Sequence, residues 1–204
     1  MKSTEVEMCL SVAPQEVAAL RQFIHTTWPT APQPLEQNLV SIYYDSPEGH
    51  LAQQRAGLRL RYTGSQWLQT LKYGQQEQAG LVTRVEIEHP VAGEALELHH
   101  ITQPQAQTML AKAQPLVPTF ETRITRTLWH IQHQDSTLEL ALDVGYVGCQ
   151  HLRDPLHELE IELKTGQPES VHAVAAMLQA AFTMPLQLRS KAERGYALVH
   201  QLQG

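Results

Sequence analysis

His157–Lys164 reads HELEIELK. Glu158, Glu160 and Glu162 recur every second residue, with Leu159, Ile161 and Leu163 between them. In a strand, successive side chains point to opposite faces, so three carboxylates line one face and three aliphatics the other. Taken alone, three like charges fit a solvated face. The rest of the chain decides whether another role exists for them.

The same design recurs. EVEMCL sets Glu5, Glu7 and Cys9 against Val6, Met8 and Leu10. GLRLRY sets Arg59 and Arg61 against Leu58 and Leu60, and WLQTLK sets Thr70 and Lys72 against Trp67, Gln69 and Leu71. VTRVEIEH sets Arg84, Glu86 and Glu88 against Val85 and Ile87, and LELALD sets Glu139 and Asp143 against Leu138, Leu140 and Leu142. A half-exposed sheet also alternates, but its polar face is ordinarily mixed Thr, Ser, Gln and Lys. Here that face is mostly charged, with Arg preferred to Lys. Guanidinium forks match phosphate oxygens, and grouped carboxylates match a divalent cation. A closed barrel with its charges pointing inward and its apolar face under helices competes with the open, solvated sheet.

Strands are expected over 3–12, 38–45, 57–63, 66–73, 81–89, 122–133, 136–143, 146–152 and 156–164, separated by turn residues at Asp45–Pro47, Gly64–Ser65, Gly74, Pro90–Gly93 and Asp135–Ser136. Helices are expected over 14–28, 47–54, 103–114, 168–182 and 190–203. Ser190 is placed as an N-cap, with Glu193 at capping-box spacing. There is no internal repeat or low-complexity linker, and one domain over 1–204 is expected.

The 204 residues carry a net charge of −6, which argues against non-specific nucleic-acid binding. No apolar run is long enough to span a membrane, and the opening MKSTEVEMCLSV lacks the apolar core of a signal peptide. Cys9 and Cys149 make no metal or redox spacing. A cytoplasmic protein is expected, without nucleic-acid or membrane partners, as monomer or homodimer. The eleven His residues, among them His99–His100 and the His130/His133 pair, read as surface residues. Ser41, Ser65 and Ser190 sit in no nucleophile elbow, and no GxGxxG or Walker motif occurs.

Eight segments, in order, resemble one family. Glu5-Val6-Glu7 resembles an ExExK opening. YYDSPEGHLAQQRAGLRLR, WLQTLK and RVEIE follow, then Arg126 ahead of Trp129, LALDVG, HELEIELKTG and SKAERGY. Together they resemble the CYTH superfamily, the triphosphate tunnel metalloenzymes, and within it most of all the bacterial inorganic triphosphatases of the CYTH–CHAD type. The chain is read as the CYTH part without a CHAD domain.

The resemblance implies an α+β fold: a closed antiparallel eight-stranded barrel with helices packed outside. It implies a linear triphosphate held by Arg59, Arg61, Lys72, Arg84, Arg126, Lys191 and Arg194. It implies Mg2+ or Mn2+ held chiefly by Glu5, Glu7, Glu160 and Glu162, with Glu158 and Asp143 also in the metal set. Glu86, Glu88 and Glu139 would orient the Arg residues or help hold a second metal, a role also open to Asp143. Glu5, Glu7, Lys72, Arg126 and Lys191 form the implied catalytic group. Hydrolysis of tripolyphosphate is the leading activity. Thiamine triphosphatase, nucleoside triphosphatase, class IV adenylyl cyclase and a non-catalytic polyphosphate- or nucleotide-binding module are the alternatives.

One position departs from the pattern: Cys9 stands where ExExK has Lys. One reading is a lost charge, partly compensated by Lys2, Lys72 or Lys191. The other is a nucleophilic thiolate, its pKa lowered by neighbouring cations.

Overall fold

The computed structural model describes residues 2–203, and the side chains of residues 3–202. Among these residues there are eight strands: β1 (Lys2–Ser11), β2 (Leu35–Asp45), β3 (Gly57–Tyr62), β4 (Trp67–Gln78), β5 (Leu81–Val91), β6 (Val117–His133), β7 (Ser136–Cys149) and β8 (Leu152–Thr165). All pair antiparallel, in a closed ring of order β1-β5-β4-β3-β2-β6-β7-β8. β1 closes the ring, its first half on β5 and its second on β8. The segment after residue 184 continues the sheet beside β1, with Ser11 N donating to Pro185 O at 2.8 Å and Gln187 N to Cys9 O at 2.8 Å.

Among the described residues, five α-helices cover the barrel: α1 (Val17–Thr27), α2 (His50–Gln53), α3 (Pro104–Lys112), α4 (Glu169–Ala181) and α5 (Lys191–Gln203). The alternation in the strands dictates where they go. Met8, Leu10, Trp129, Leu140, Leu159 and Ile161 point outward and are buried under α1 and α4. Leu58, Leu71 and Ile87 are buried under α2 and α3. Burying one such aliphatic side chain stabilises by roughly 1.5–3 kcal/mol, so the apolar face belongs under helices and the charged face points inward.

α5 packs closely against β6 through Gly195. A Cβ there would lie 2.1 Å from the Phe120 ring. Phe120 stacks on Tyr43 at 4.4 Å and meets Tyr196 edge-on at 5.1 Å.

Several strands run longer than expected, β2 from Leu35 and β6 from Val117 among them, and two boundaries fall elsewhere. Segments 136–143 and 146–152 are not separate strands: β7 runs unbroken through Gly145, which marks a close approach rather than a turn, since a Cβ there would fall 2.0 Å from the Arg123 carbonyl oxygen. The β7–β8 turn lies at Gln150, with a φ of 51° that Gln rarely adopts, so no turn residue announced it. Likewise Gly74 does not end a strand. It sits in a bulge within β4, between Tyr73 and Gln76, and the hairpin falls at Ala79–Gly80. The 47–54 helix shrinks to the four residues of α2. Among the described residues, no helix is long and apolar enough to cross a membrane.

Candidate active site

The charged faces converge on a cavity of about 240 Å3 inside the barrel. Glu5, Glu7, Cys9, Arg59, Arg61 and Lys72 line it. So do Arg84, Glu86, Glu88, Arg126 and Glu139, and Glu158, Glu160, Glu162 and Lys191 complete the expected residues among the lining. Two expected residues stand outside the lining. Asp143 is fully buried behind Arg126 and Lys191. Arg194 is held aside, its Nε donating to Asp154 Oδ2 at 2.7 Å and its Nη2 to Pro155 O at 2.6 Å.

Lys191 is the one expected lining residue that no strand supplies. The capping box positions it: Glu193 N donates to Ser190 Oγ at 3.2 Å, and Ser190 N donates to Glu193 Oε2 at 2.9 Å. From the first turn of α5, Lys191 Nζ reaches Asp143 at 2.8 Å and Glu160 at 2.6 Å, and also bonds Glu158. Arg126 completes this cluster, donating to Asp143 at 2.7 Å from both Nε and Nη2 and to Glu160 at 2.6 Å. Burial works against ionisation of Glu160, yet Lys191 and Arg126 hold its carboxyl well below the usual range. Burial prevails at Glu158, whose carboxyl rises. Its Oε2 has no hydrogen-bond donor.

A second cluster lies on β1, β4 and β5. Lys72 Nζ stands 2.6 Å from Glu5 and 3.1 Å from Glu86. Arg84 donates to Glu5 at 2.6 Å and also bonds Glu7. Burial works against ionisation of Glu5, yet Lys72 and Arg84 hold it well below the usual carboxylate range. Glu7 behaves oppositely. Burial pushes it up to about 7 against the pull of Arg84, and Glu5 and Glu160 add to the rise. Glu86 and Glu88 complete the β5 wall, where Thr70 Oγ1 donates to Glu88 at 2.9 Å.

The two walls that matter most face each other. In the ring order β3 is fourth and β8 eighth, four steps apart in either direction. β8 presents Glu158, Glu160 and Glu162, and β3 presents Arg59 and Arg61. Neither Arg forms an ion pair with a carboxylate among the described residues. Arg61 Nε donates to Ser41 Oγ at 3.1 Å, and Arg59 Nε, buried, has no acceptor. Burial, with Arg59 and Arg126 nearby, pushes Arg61 down to about 9. Burial works against the charge on Arg59, yet Tyr43, Glu88 and Glu86 nearby raise its pKa. Two buried guanidiniums with no carboxylate in direct contact make a ready site for an anion.

Cys9 lies opposite Glu160 in the β1–β8 register. Burial raises its thiol well above the ordinary value, and Glu158 and Glu160 raise it further against Lys191. The expectation that cations would lower it is overturned: the carboxylates of β8 outweigh them. Of the three lysines named as compensating, Lys191 lies in the same acidic cluster, Lys72 is engaged with Glu5 and Glu86, and the Lys2 side chain lies outside the described residues.

Several lining residues were missed. Lys164 pairs with Glu162 at 2.8 Å and Glu139 at 3.4 Å, and its parity with Glu158–Glu162 was readable in HELEIELK itself. Tyr43 lies beside the β3 arginines, and Arg59 and Arg61 overcome burial to lower its hydroxyl pKa. Arg55 and Arg189 line one mouth from irregular segments, where no periodicity could have revealed them.

A divalent cation fits this donor set. Glu7 lies across from Glu162, and Glu162 across from Glu139, a row of like charges on three adjacent strands. Like charges directly opposite destabilise a sheet. Lys164 pairs with Glu162 and Glu139 at one end and Arg84 with Glu7 at the other, yet both Glu7 and Glu162 are pushed up, first by burial. Asp143, Glu158 and Glu160 form a further carboxylate group whose oxygens lie within 4.8 Å of one another.

Residues 3–196 match the CYTH domain. The chain belongs to the CYTH family. It is 30% identical over 201 residues to the inorganic triphosphatase of Haemophilus influenzae, covering 95% of this chain and 54% of the relative, so it spans about half the length of that curated protein. Two solved structures share this chain's fold. HpAC1 from Hippeastrum, described as revealing a dominant triphosphatase activity, aligns with a TM-score of 0.61 at 14% identity over 97% of this chain and 95% of that one. A Bacillus halodurans protein solved as a candidate adenylate cyclase aligns with a TM-score of 0.64 at 17% identity, over 93% and 95%. CYTH enzymes are metal-dependent, and this CYTH barrel carries acidic groups able to hold a metal.

Proposed function

We propose that residues 1–204 form one CYTH domain, acting in the cytoplasm, that hydrolyses inorganic tripolyphosphate to diphosphate and phosphate with Mg2+ or Mn2+. The single observation behind this reading is the pairing of an Arg59/Arg61 wall that makes no direct ion pair with a wall of carboxylates set opposite one another, directly across the barrel. A polyanion bridged to a cation satisfies both walls at once. The relative named inorganic triphosphatase supports the same substrate class.

In this reading Glu5, Glu7, Glu160 and Glu162 hold the cation, with Glu158 and Asp143 behind them. A bound metal supplies charge neutralisation of the phosphoryl oxygens and a more acidic water. Arg59 and Arg61 grip one end of the chain of phosphates by bidentate hydrogen bonds. Arg84, Arg126, Lys72 and Lys191, already fixed by carboxylates, orient the phosphoryl group to be transferred. Glu86, Glu88 and Glu139 hold cations in place. Phosphoryl transfer asks mainly for such positioning and charge compensation. Arg194 acts through Glu158, 3.6 Å from it, as a positioning residue.

Cys9 favours a second reading, a tunnel that binds polyphosphate without turning it over, because a neutral thiol replaces a cation. Turnover of tripolyphosphate, thiamine triphosphate and ATP, each with Mg2+ or Mn2+, separates the two. Fastest release from tripolyphosphate supports the proposal. Tight binding of all three with no release supports the second reading.

A further inference from the structure

Away from the tunnel, the connection between β5 and α3 gathers Glu97, His99 and His100. A carboxylate oxygen and two imidazole nitrogens there lie within 4.8 Å of one another. None of the three lines the tunnel cavity. They sit against the outer face of the barrel, because Gln69, which holds Glu97, alternates with the inward Thr70 on β4.

The carboxylate is fixed in advance. Glu97 N donates to Gln69 Oε1 at 2.8 Å, and Glu97 O accepts from Gln69 Nε2 at 3.2 Å. Glu97 Oε1 accepts from Ala92 N at 2.8 Å. Gln69 is itself buried, at 1% exposure. Glu97 Oε2 is left facing His100 Nε2 at 3.0 Å. Two ligand atoms each about 2.0–2.1 Å from one cation stand roughly 3 Å apart when they meet it near a right angle. That separation suits a shared metal as well as a hydrogen bond.

The rings are also ordered. His100 lies between His99, with centroids 4.1 Å apart, and His89, stacked at 5.3 Å. His99 is exposed, so water can complete a coordination shell. Two imidazoles with one carboxylate suit borderline transition cations. Mg2+, by contrast, prefers an all-oxygen shell such as the tunnel offers.

The geometry points to a surface site at Glu97, His99 and His100 for one divalent cation of the Zn2+, Ni2+ or Co2+ class, chemically separate from the tunnel. Such an ion would tie the β5–α3 connection to β4 through Glu97 and Gln69.

The test uses the untagged 204-residue chain in excess Mg2+, titrated with Co2+ and followed by NMR of the histidine ring signals. Substoichiometric Co2+ should broaden the His99 and His100 rings before those of His130 or His133. His100→Ala and His99→Ala should each weaken Co2+ binding at least tenfold, measured by calorimetry, while Mg2+-supported hydrolysis stays unchanged. Both side chains are at the surface, and the wild-type NMR readout does not depend on the variants folding. Equal Co2+ affinity in both variants, or unbroadened His99 and His100 rings, would overturn the site.

Discussion

Glu7 on β1 stands directly across the antiparallel register from Glu162 on β8. A sheet built for stability alone does not place two carboxylates opposite each other and bury one of them. The first prediction follows from that pair. Glu7→Gln or Glu162→Gln should cost at least about tenfold in turnover, roughly 1.4 kcal/mol. Each change should leave the metal-free protein as stable or more so. Thermal melts with and without EDTA check this, and loss of folding in metal-free Glu7→Gln would count against it.

The same burial gives a pH dependence. Glu7 is raised from its ordinary 4.5 to about 7 in the folded metal-free protein. A proton is therefore held more tightly in the folded state. The stability this contributes is full below about 4.5 and is lost as the pH rises through about 7. Metal must displace that proton, so Mg2+ affinity should fall as the pH drops below about 7. Calorimetry between pH 5.5 and 8, run as a ~0.5-unit series, should show proton release that disappears in Glu7→Gln. Identical release in the variant would remove Glu7 from the metal set.

Arg59→Ala and Arg61→Ala test the opposite wall. Each should weaken tripolyphosphate binding far more than phosphate binding, because a bidentate contact to one phosphoryl group is lost. Stability should hold or rise, since each change removes a buried cation without a carboxylate partner. Unfolding of either variant would make these residues structural.

Position 9 tests the departure from the family pattern. Cys9→Lys should raise tripolyphosphate turnover by about tenfold, which needs only about 1.4 kcal/mol of preferential stabilisation of developing charge. Cys9→Ser should be nearly neutral, because the raised thiol pKa leaves no thiolate to lose. Loss of activity in both variants would restore a nucleophilic thiol.

Gly195 tests how α5 delivers Lys191. In Gly195→Ala the new Cβ meets the Phe120 ring, and overpacking of this kind costs about 1–3 kcal/mol. Turnover should fall with stability, because the turn carrying Lys191 is displaced. Unchanged melting and turnover would show that α5 can shift without consequence.

Much of this was legible because the charged alternation has a period of two and the barrel obeys it. Glu5, Glu7, Arg59, Arg61, Lys72, Arg84, Glu158, Glu160 and Glu162 face inward as their spacing requires. The capping box at Ser190 and Glu193 was equally local, and it formed. What escaped was non-local or lacked the usual residues. Gln150 turns the chain without Gly, Asn or Asp. The break expected between 143 and 146 does not occur: Gly145 there serves a close approach to the Arg123 backbone, which only the neighbouring strand reveals. Arg194 shares a short motif with Lys191, yet one helical step carries it to Asp154, outside the lining. The Glu97–His100 pair and the His130–Glu139 contact at 3.1 Å join residues whose spacing follows no metal-site pattern.

The central claim is that two opposed walls of one barrel, cationic and acidic, hold a metal–triphosphate complex and split it. Phosphorus NMR of tripolyphosphate incubated with the protein tests this most directly, with Mg2+ or Mn2+ and again with EDTA. The account predicts one phosphate and one diphosphate per tripolyphosphate consumed with metal, and none with EDTA. Intact tripolyphosphate in the presence of both metals, or undiminished cleavage in EDTA, would contradict it.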